Sequence, residues 1–150
     1  MKTKDFIAKV EMNLHASVSN VWDALVNPEI IKKYMFGTTV VSDWKEGSKI
    51  IWKGEWKGKT YEDKGIILKL KPQKLIQYSH YSPLGGLPDV PENYNTVTIA
   101  LTDKGKDTFL SLTQDNNATE ESREQSEKNW EAMLTSLNTL LGEKKIINRV

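Results

Sequence analysis

The sequence predicts an α+β domain in which a curved antiparallel sheet of about seven strands wraps a long C-terminal helix. Three observations lead there. Residues Phe6 to Leu14 alternate apolar and polar; further alternating segments separated by turn residues follow from Thr38 to Gln114; and Ala118 to Leu141 contains no glycine or proline.

In strand one, Phe6, Ala8, Val10, Met12 and Leu14 share one face against Ile7, Lys9, Glu11 and Asn13. Ser17 can cap a short helix carrying Val18, Val21, Trp22 and Leu25, and Asn27 with Pro28 separates it from a second, Glu29 to about Tyr34. Strands are expected at Thr38–Ser42, Lys49–Trp56, Thr60–Lys71, Leu75–Tyr81, Tyr94–Leu101 and Thr108–Gln114, with Lys57–Gly58 and Lys71–Pro72 as hairpin turns. Ile50, Trp52 and Trp56 face inward. Gly65 reads as a bulge, which leaves strand parity open on one side of it. The last helix carries Trp130, Met133, Leu134, Leu137, Leu140 and Leu141 at helical spacing, while its first three turns are almost wholly polar. Asn117 with Glu120, or Ser122 with Gln125, is the expected capping pair, and Gly142 the expected stop.

At 150 residues the chain is expected to form one domain, with residues 143–150 a flexible tail. The absence of cysteine excludes disulfides, zinc–thiolate sites and cysteine nucleophiles, and points to the cytoplasm. Met1 to Asp5 lead into strand-like residues instead of an apolar signal core, and no run approaches the ~20 apolar residues of a membrane span. A net charge of +1, from 21 basic and 20 acidic residues, gives no electrostatic footprint for nucleic acid. Lys32 with Lys33 and Lys144 with Lys145 read as solvated faces. Monomer and dimer both remain open.

Two histidines without HExxH or thiolates cannot supply the three or four ligands of a metal site, so neither metal nor cofactor is expected. His15 reads as a surface residue beside the first helix. If Ile76, Tyr78 and His80 share the inward face, a histidine and a phenol meet at one place, and Asp63 joins them if the phase before Gly65 also points inward. That trio supports proton transfer, with His80 as base and Tyr78 as oxyanion partner. Trp22, Trp52, Trp56, Tyr78 and Trp130 serve equally as an ordinary core or as a cavity wall, which Tyr34, Ile50, His80 and Met133 would complete. The long loop Ser82–Asn93 reads as a lid, with Leu84, Gly85, Gly86 and Leu87 as its residues and Gly85–Gly86 permitting it to move. Sheet-face docking of a protein partner is disfavoured by the charged outward positions Lys49, Lys53, Glu55 and Lys57; Ile146 with Ile147 and the loop Leu84–Val90 stay open for it.

The run Ser17 to Glu29, then Tyr34, Trp44 to Ser48, Gly65 to Pro72 with Leu75, and Trp130 with Leu134 and Leu137 resembles the bacterial family named after the C-terminal domain of the activator of the heat-shock-protein-90 ATPase. That family belongs to the START/SRPBCC superfamily of hydrophobic-ligand proteins. The resemblance covers about residues 6 to 141 and rests mostly on packing and turn residues, so it implies a fold, the helix-grip or birch-pollen-allergen-like fold, more than a reaction. Tyr34–Met35 replaces a frequent tryptophan pair, and Asn129 replaces a glycine before Trp130. Heat-shock ATPase activation is not expected, because it involves an additional N-terminal domain. The combined expectation is a small hydrophobic or amphipathic ligand held between sheet and helix. The alternatives are a cyclase- or dehydratase-like enzyme for a polyketide-type or aromatic substrate, and a co-chaperone-like interaction domain.

Overall fold

The computed structural model describes residues 6–147, leaving aside the surroundings of residues 56, 85 and 143–147. The elements run β1 (Phe6–Leu14), α1 (Val18–Val26), α2 (Pro28–Tyr34), β2 (Thr39–Ser42), β3 (Lys49–Trp56), β4 (Lys59–Lys71), β5 (Leu75–His80), β6 (Asn95–Asp103), β7 (Thr108–Asn117) and α3 (Glu120–Ile147). The seven strands form one antiparallel sheet in the order β1-β7-β6-β5-β4-β3-β2. Among the described residues no helix is long and apolar enough to cross a membrane.

Local chemistry sets the boundaries. Ser17 Oγ accepts the Asn20 N–H and starts α1. Asn27 ends α1 through its N–H to Asp23 O and begins α2 by accepting the Glu29 N–H at 3.0 Å, with Pro28 in the first turn. Lys57 and Gly58 both take positive φ, as the tight β3–β4 hairpin requires.

The apolar half of α3 lies across the concave face, where Met133, Leu134, Leu137 and Leu141 are buried against a core that includes Val10, Leu14, Ile99, Leu110 and Leu112. Each such leucine contributes about 1.5–3 kcal/mol through apolar burial. The same helix closes the β1 edge: Glu127 accepts the Lys9 N–H at 2.9 Å and Asn138 accepts the His15 N–H at 3.1 Å.

Three sequence expectations change. Thr119, not Asn117 or Ser122, caps α3, accepting the Ser122 N–H at 3.0 Å, because the Asn117 side chain turns inward to donate to Phe6 O and Gln114 O. Gly142 does not stop α3: it lacks the left-handed φ that a glycine stop needs, so the helix continues to Ile147, through part of the expected tail. The rest of that tail, residues 148–150, lies outside the described residues. Finally, the β4–β5 register shifts between Ile67 and Lys69, which puts the extra residue at Leu68, whereas Gly65 pairs in register with Ile50.

Gly65 is required for another reason: a Cβ there would collide with the Ser79 carbonyl oxygen. Gly65→Ala is therefore expected to lower stability by several kcal/mol, on the scale of overpacking and backbone displacement. Urea unfolding measures it. A loss below about 0.5 kcal/mol, the range of ordinary surface changes, would show that β5 can move aside freely.

Candidate functional site

With Gly65 in regular strand, β4 keeps one phase from Tyr61 through Asp63 to Ile67, so Asp63 faces inward together with Tyr78 and His80 of β5. Along each inner strand the inward face passes from apolar residues or glycine to a polar one. In β7, Leu110 and Leu112 lead to Gln114; in β6, Leu101, Ile99 and Val97 lead to Asn95; in β5, Ile76 and Tyr78 lead to His80; in β4, Ile67 and Gly65 lead to Asp63. The antiparallel register sets these polar ends side by side, beneath the polar first half of α3.

They line a cavity of about 160 Å³ walled by Met35, Thr38, Trp52, Tyr61, Tyr78 and Trp130 together with those four polar residues. An apolar recess of about 30 Å³ reaches inward among Leu25, Ile31, Tyr34, Val40, Trp44, Ile50 and Met133. A vestibule of about 390 Å³ shares the cavity's walls and opens between Phe36, Ser126 and Asn129. Phe36, at the rim, is 76% exposed.

His80 Nε2 lies 2.9 Å from Asp63 Oδ2, with side-chain exposures of 29% and 15%. Asp63 Oδ1 is buried and meets no hydrogen-bond partner among the described residues. The Trp52 ring sits 5.1 Å from Tyr78 and 5.0 Å from His80, edge-on to the imidazole. Most other polar groups are occupied within the protein. Thr38 Oγ1 and Tyr61 OH are bonded at 2.9 Å, Trp130 Nε1 donates to Gln114 Oε1 at 2.6 Å, and Asn95 Nδ2 donates to Asp115 O at 2.8 Å. Burial pushes the Tyr78 hydroxyl well above the ordinary tyrosine range, so it stays a neutral phenol. Tyr34 is raised likewise, by burial first and Tyr78 second, while its hydroxyl donates to Ala24 O at 2.8 Å.

The structure thus brings Trp52, Tyr78, His80, Asp63 and Trp130 to one cavity and places Tyr34, Ile50 and Met133 around its recess. Trp22 does not reach it, because its helix position turns it into the packing beside the core. The Trp56 side chain and Gly85 lie outside the described residues. Tyr61, Thr38, Asn95, Gln114 and Met35 are the lining residues that sequence reasoning missed. For Asn95 and Gln114 the available signal was a polar residue continuing the buried phase of an apolar strand. Tyr61 owes its place to Gly54 across the hairpin, where a Cβ would collide with the ring.

The lid is also corrected. Leu84, Gly86 and Leu87 line none of these spaces, because the loop is fastened over the opposite, outer face of the sheet. Tyr81 OH donates to Leu87 O at 2.5 Å, Tyr94 OH donates to Asp89 at 2.6 Å, Lys64 pairs with Asp89, and the Tyr81 and Tyr94 rings stack at 5.3 Å. Lys64 and Asp89 shift each other's titration in the direction of the charged pair. That outer face is less uniformly charged than β3 alone suggests: Val41, Ile66 and Leu68 are exposed on it.

The Asp63–His80 contact is partly desolvated and charge-assisted, so a double-mutant cycle of Asp63→Asn and His80→Gln is expected to give a coupling of about 1–3 kcal/mol. Coupling near zero in thermal or urea unfolding would make the contact incidental.

Residues 15–142 match the family model described as activator of Hsp90 ATPase homolog 1-like protein. Among solved structures, ChR145 from Cytophaga hutchinsonii is 59% identical, with 96% of this chain and 98% of that one covered at a TM-score of 0.84. NE0264 from Nitrosomonas europaea, at 20% identity, TM-score 0.74 and coverage of 97% and 99%, shares the fold. So does CalU16 from Micromonospora echinospora, at 19% identity, TM-score 0.70 and coverage of 97% and 90%. No curated protein matches the chain. With a family model spanning most of its length and the helix-grip architecture around it, the chain belongs to the activator of Hsp90 ATPase homolog 1-like family of the START/SRPBCC superfamily.

Proposed function

We propose that this protein binds a compact amphipathic molecule, about one ring in size, in the cavity between sheet and α3. The observation that carries this reading is the 160 Å³ cavity itself, placed where a filled core would otherwise stand. It is close to the size of about 150 Å³ at which an apolar protein cavity accepts a benzene ring, and well below the ~300–1,000 Å³ of drug-sized sites. Burial of the ring among Trp52, Tyr78 and Trp130 supplies affinity at about 25 cal/mol per Å², and the polar row orients the molecule. Entry is through the vestibule beside α3, whose Ser126 and Asn129 leave the mouth free of aliphatic plugs.

A thermal-shift screen with single-ring aromatic acids, alcohols, amines and ketones tests it. A ligand at about 100 times its Kd adds about 2.7 kcal/mol and raises Tm by several degrees. Asn129→Trp, at the exposed rim, is expected to abolish the shift while leaving Tm of the free protein within a few degrees. No shift with any class, at concentrations up to solubility, would remove the binding reading.

The His80–Asp63 contact favours one second reading, proton transfer on a bound carbonyl compound. Asp63 holds Nε2, which leaves Nδ1 to take an α-proton while the neutral Tyr78 hydroxyl supports the enolate oxygen. Incubation with an aryl ketone in D2O is then expected to exchange its α-hydrogens faster than buffer does, and His80→Gln to end this. Wild-type exchange equal to buffer would leave binding alone.

A further inference from the structure

We infer that the ligand of this cavity is a small organic cation, an ammonium or amidinium group on a body no larger than one ring. This rests on the binding reading above and specifies its chemistry. The argument is one of complementarity. Among the described residues, Asp63 and His80 are the titratable groups of the cavity walls besides tyrosine, and no lysine or arginine lines the cavity or its vestibule. The hydroxyls of Thr38 and Tyr61 satisfy each other, the Trp130 indole N–H is taken by Gln114, and the Asn95 amide N–H is taken by the backbone. Among the fully buried side-chain polar atoms of the described residues, Asp63 Oδ1 is the one without a partner, and it is an acceptor.

Asp63 is the one carboxylate at the described cavity wall, and its described partner is the His80 ring. A buried anion with one free oxygen calls for a donor, preferably a charged one. Asp63 is itself one of the residues lining the cavity, so its carboxylate stands at the wall of that space. Four aromatic rings, of Trp52, Tyr61, Tyr78 and Trp130, stand around the same space. Aromatic walls near a carboxylate attract a desolvated ammonium through the ring quadrupole as well as by charge, whereas a carboxylate or phosphate ligand would face an uncompensated anion. The cavity therefore selects for positive charge at its polar end.

Benzylammonium, benzyl alcohol and benzoate have similar size and differ in charge, and calorimetry with the intact chain separates them. Benzylammonium is expected to bind at least about ten-fold more tightly than benzyl alcohol, with benzoate weakest, and to shift the Trp52 and Trp130 indole resonances in NMR spectra. Asp63→Asn is expected to bring the amine and the alcohol within about two-fold of each other. The wild-type ranking decides the matter even if that variant does not fold. Equal or tighter binding of benzyl alcohol or benzoate would overturn the cationic assignment while leaving a ligand cavity in place. Binding of none of the three, with no shift in the wider screen, would overturn both.

Discussion

The contact on which the rest of the structure depends is the seating of Met133, Leu134, Leu137 and Leu141 on the concave face of the sheet. Burying these side chains fixes the angle of α3, covers the β1 edge, and closes one end of the interior with aliphatic packing. Because the apolar stripe occupies only the C-terminal half of the helix, the N-terminal half passes over the other end of the sheet without filling it. A solvated, polar half-helix cannot contribute the apolar atoms that would close the space beneath it, so a cavity persists there.

That end of the sheet is where the inward phase of four strands turns polar. Burying such groups costs free energy unless they are paired, and nearly all of them are: hydroxyl to hydroxyl, indole to amide, amide to backbone, imidazole to carboxylate. Among the fully buried side-chain polar atoms of the described residues, one oxygen of Asp63 is the exception. An apolar residue at this position would avoid that desolvation cost, so the fold itself does not call for the aspartate.

The two faces of the sheet divide the work. Inside, rigid strands carry the cavity walls at fixed spacing. Outside, the 82–93 loop lies down on the sheet and is tied by Tyr81, Tyr94, Asp89 and Lys64. The vestibule on the other face is lined by Met35 and Phe36 after α2 and by Ser126 and Asn129 of α3.

Much of the fold was legible in the sequence because it rests on local periodicity. The alternation in Phe6–Leu14, the cap at Ser17, the Asn27–Pro28 break and the stripe from Trp130 to Leu141 each specify an element without reference to distant residues. The phase of β5 was equally plain, so Tyr78 and His80 could be placed on one face. Other features needed the assembled sheet. The place of the extra residue, at Leu68 and not Gly65, depends on how β4 registers against β5, and with it the inward direction of Asp63. The position of the loop depends on contacts between residues far apart in the chain, which no local pattern encodes. Gln114, Asn95, Thr38 and Tyr61 are ordinary polar or aromatic residues in their own strands, and become neighbours only through antiparallel pairing. The sequence by itself determined which elements form and, outside β4, which face of each is buried, because those follow from side-chain period. Tertiary structure alone decided that the buried faces leave a polar-ended cavity, because that depends on where the strands' polar ends align and how far the apolar stripe of α3 extends over them.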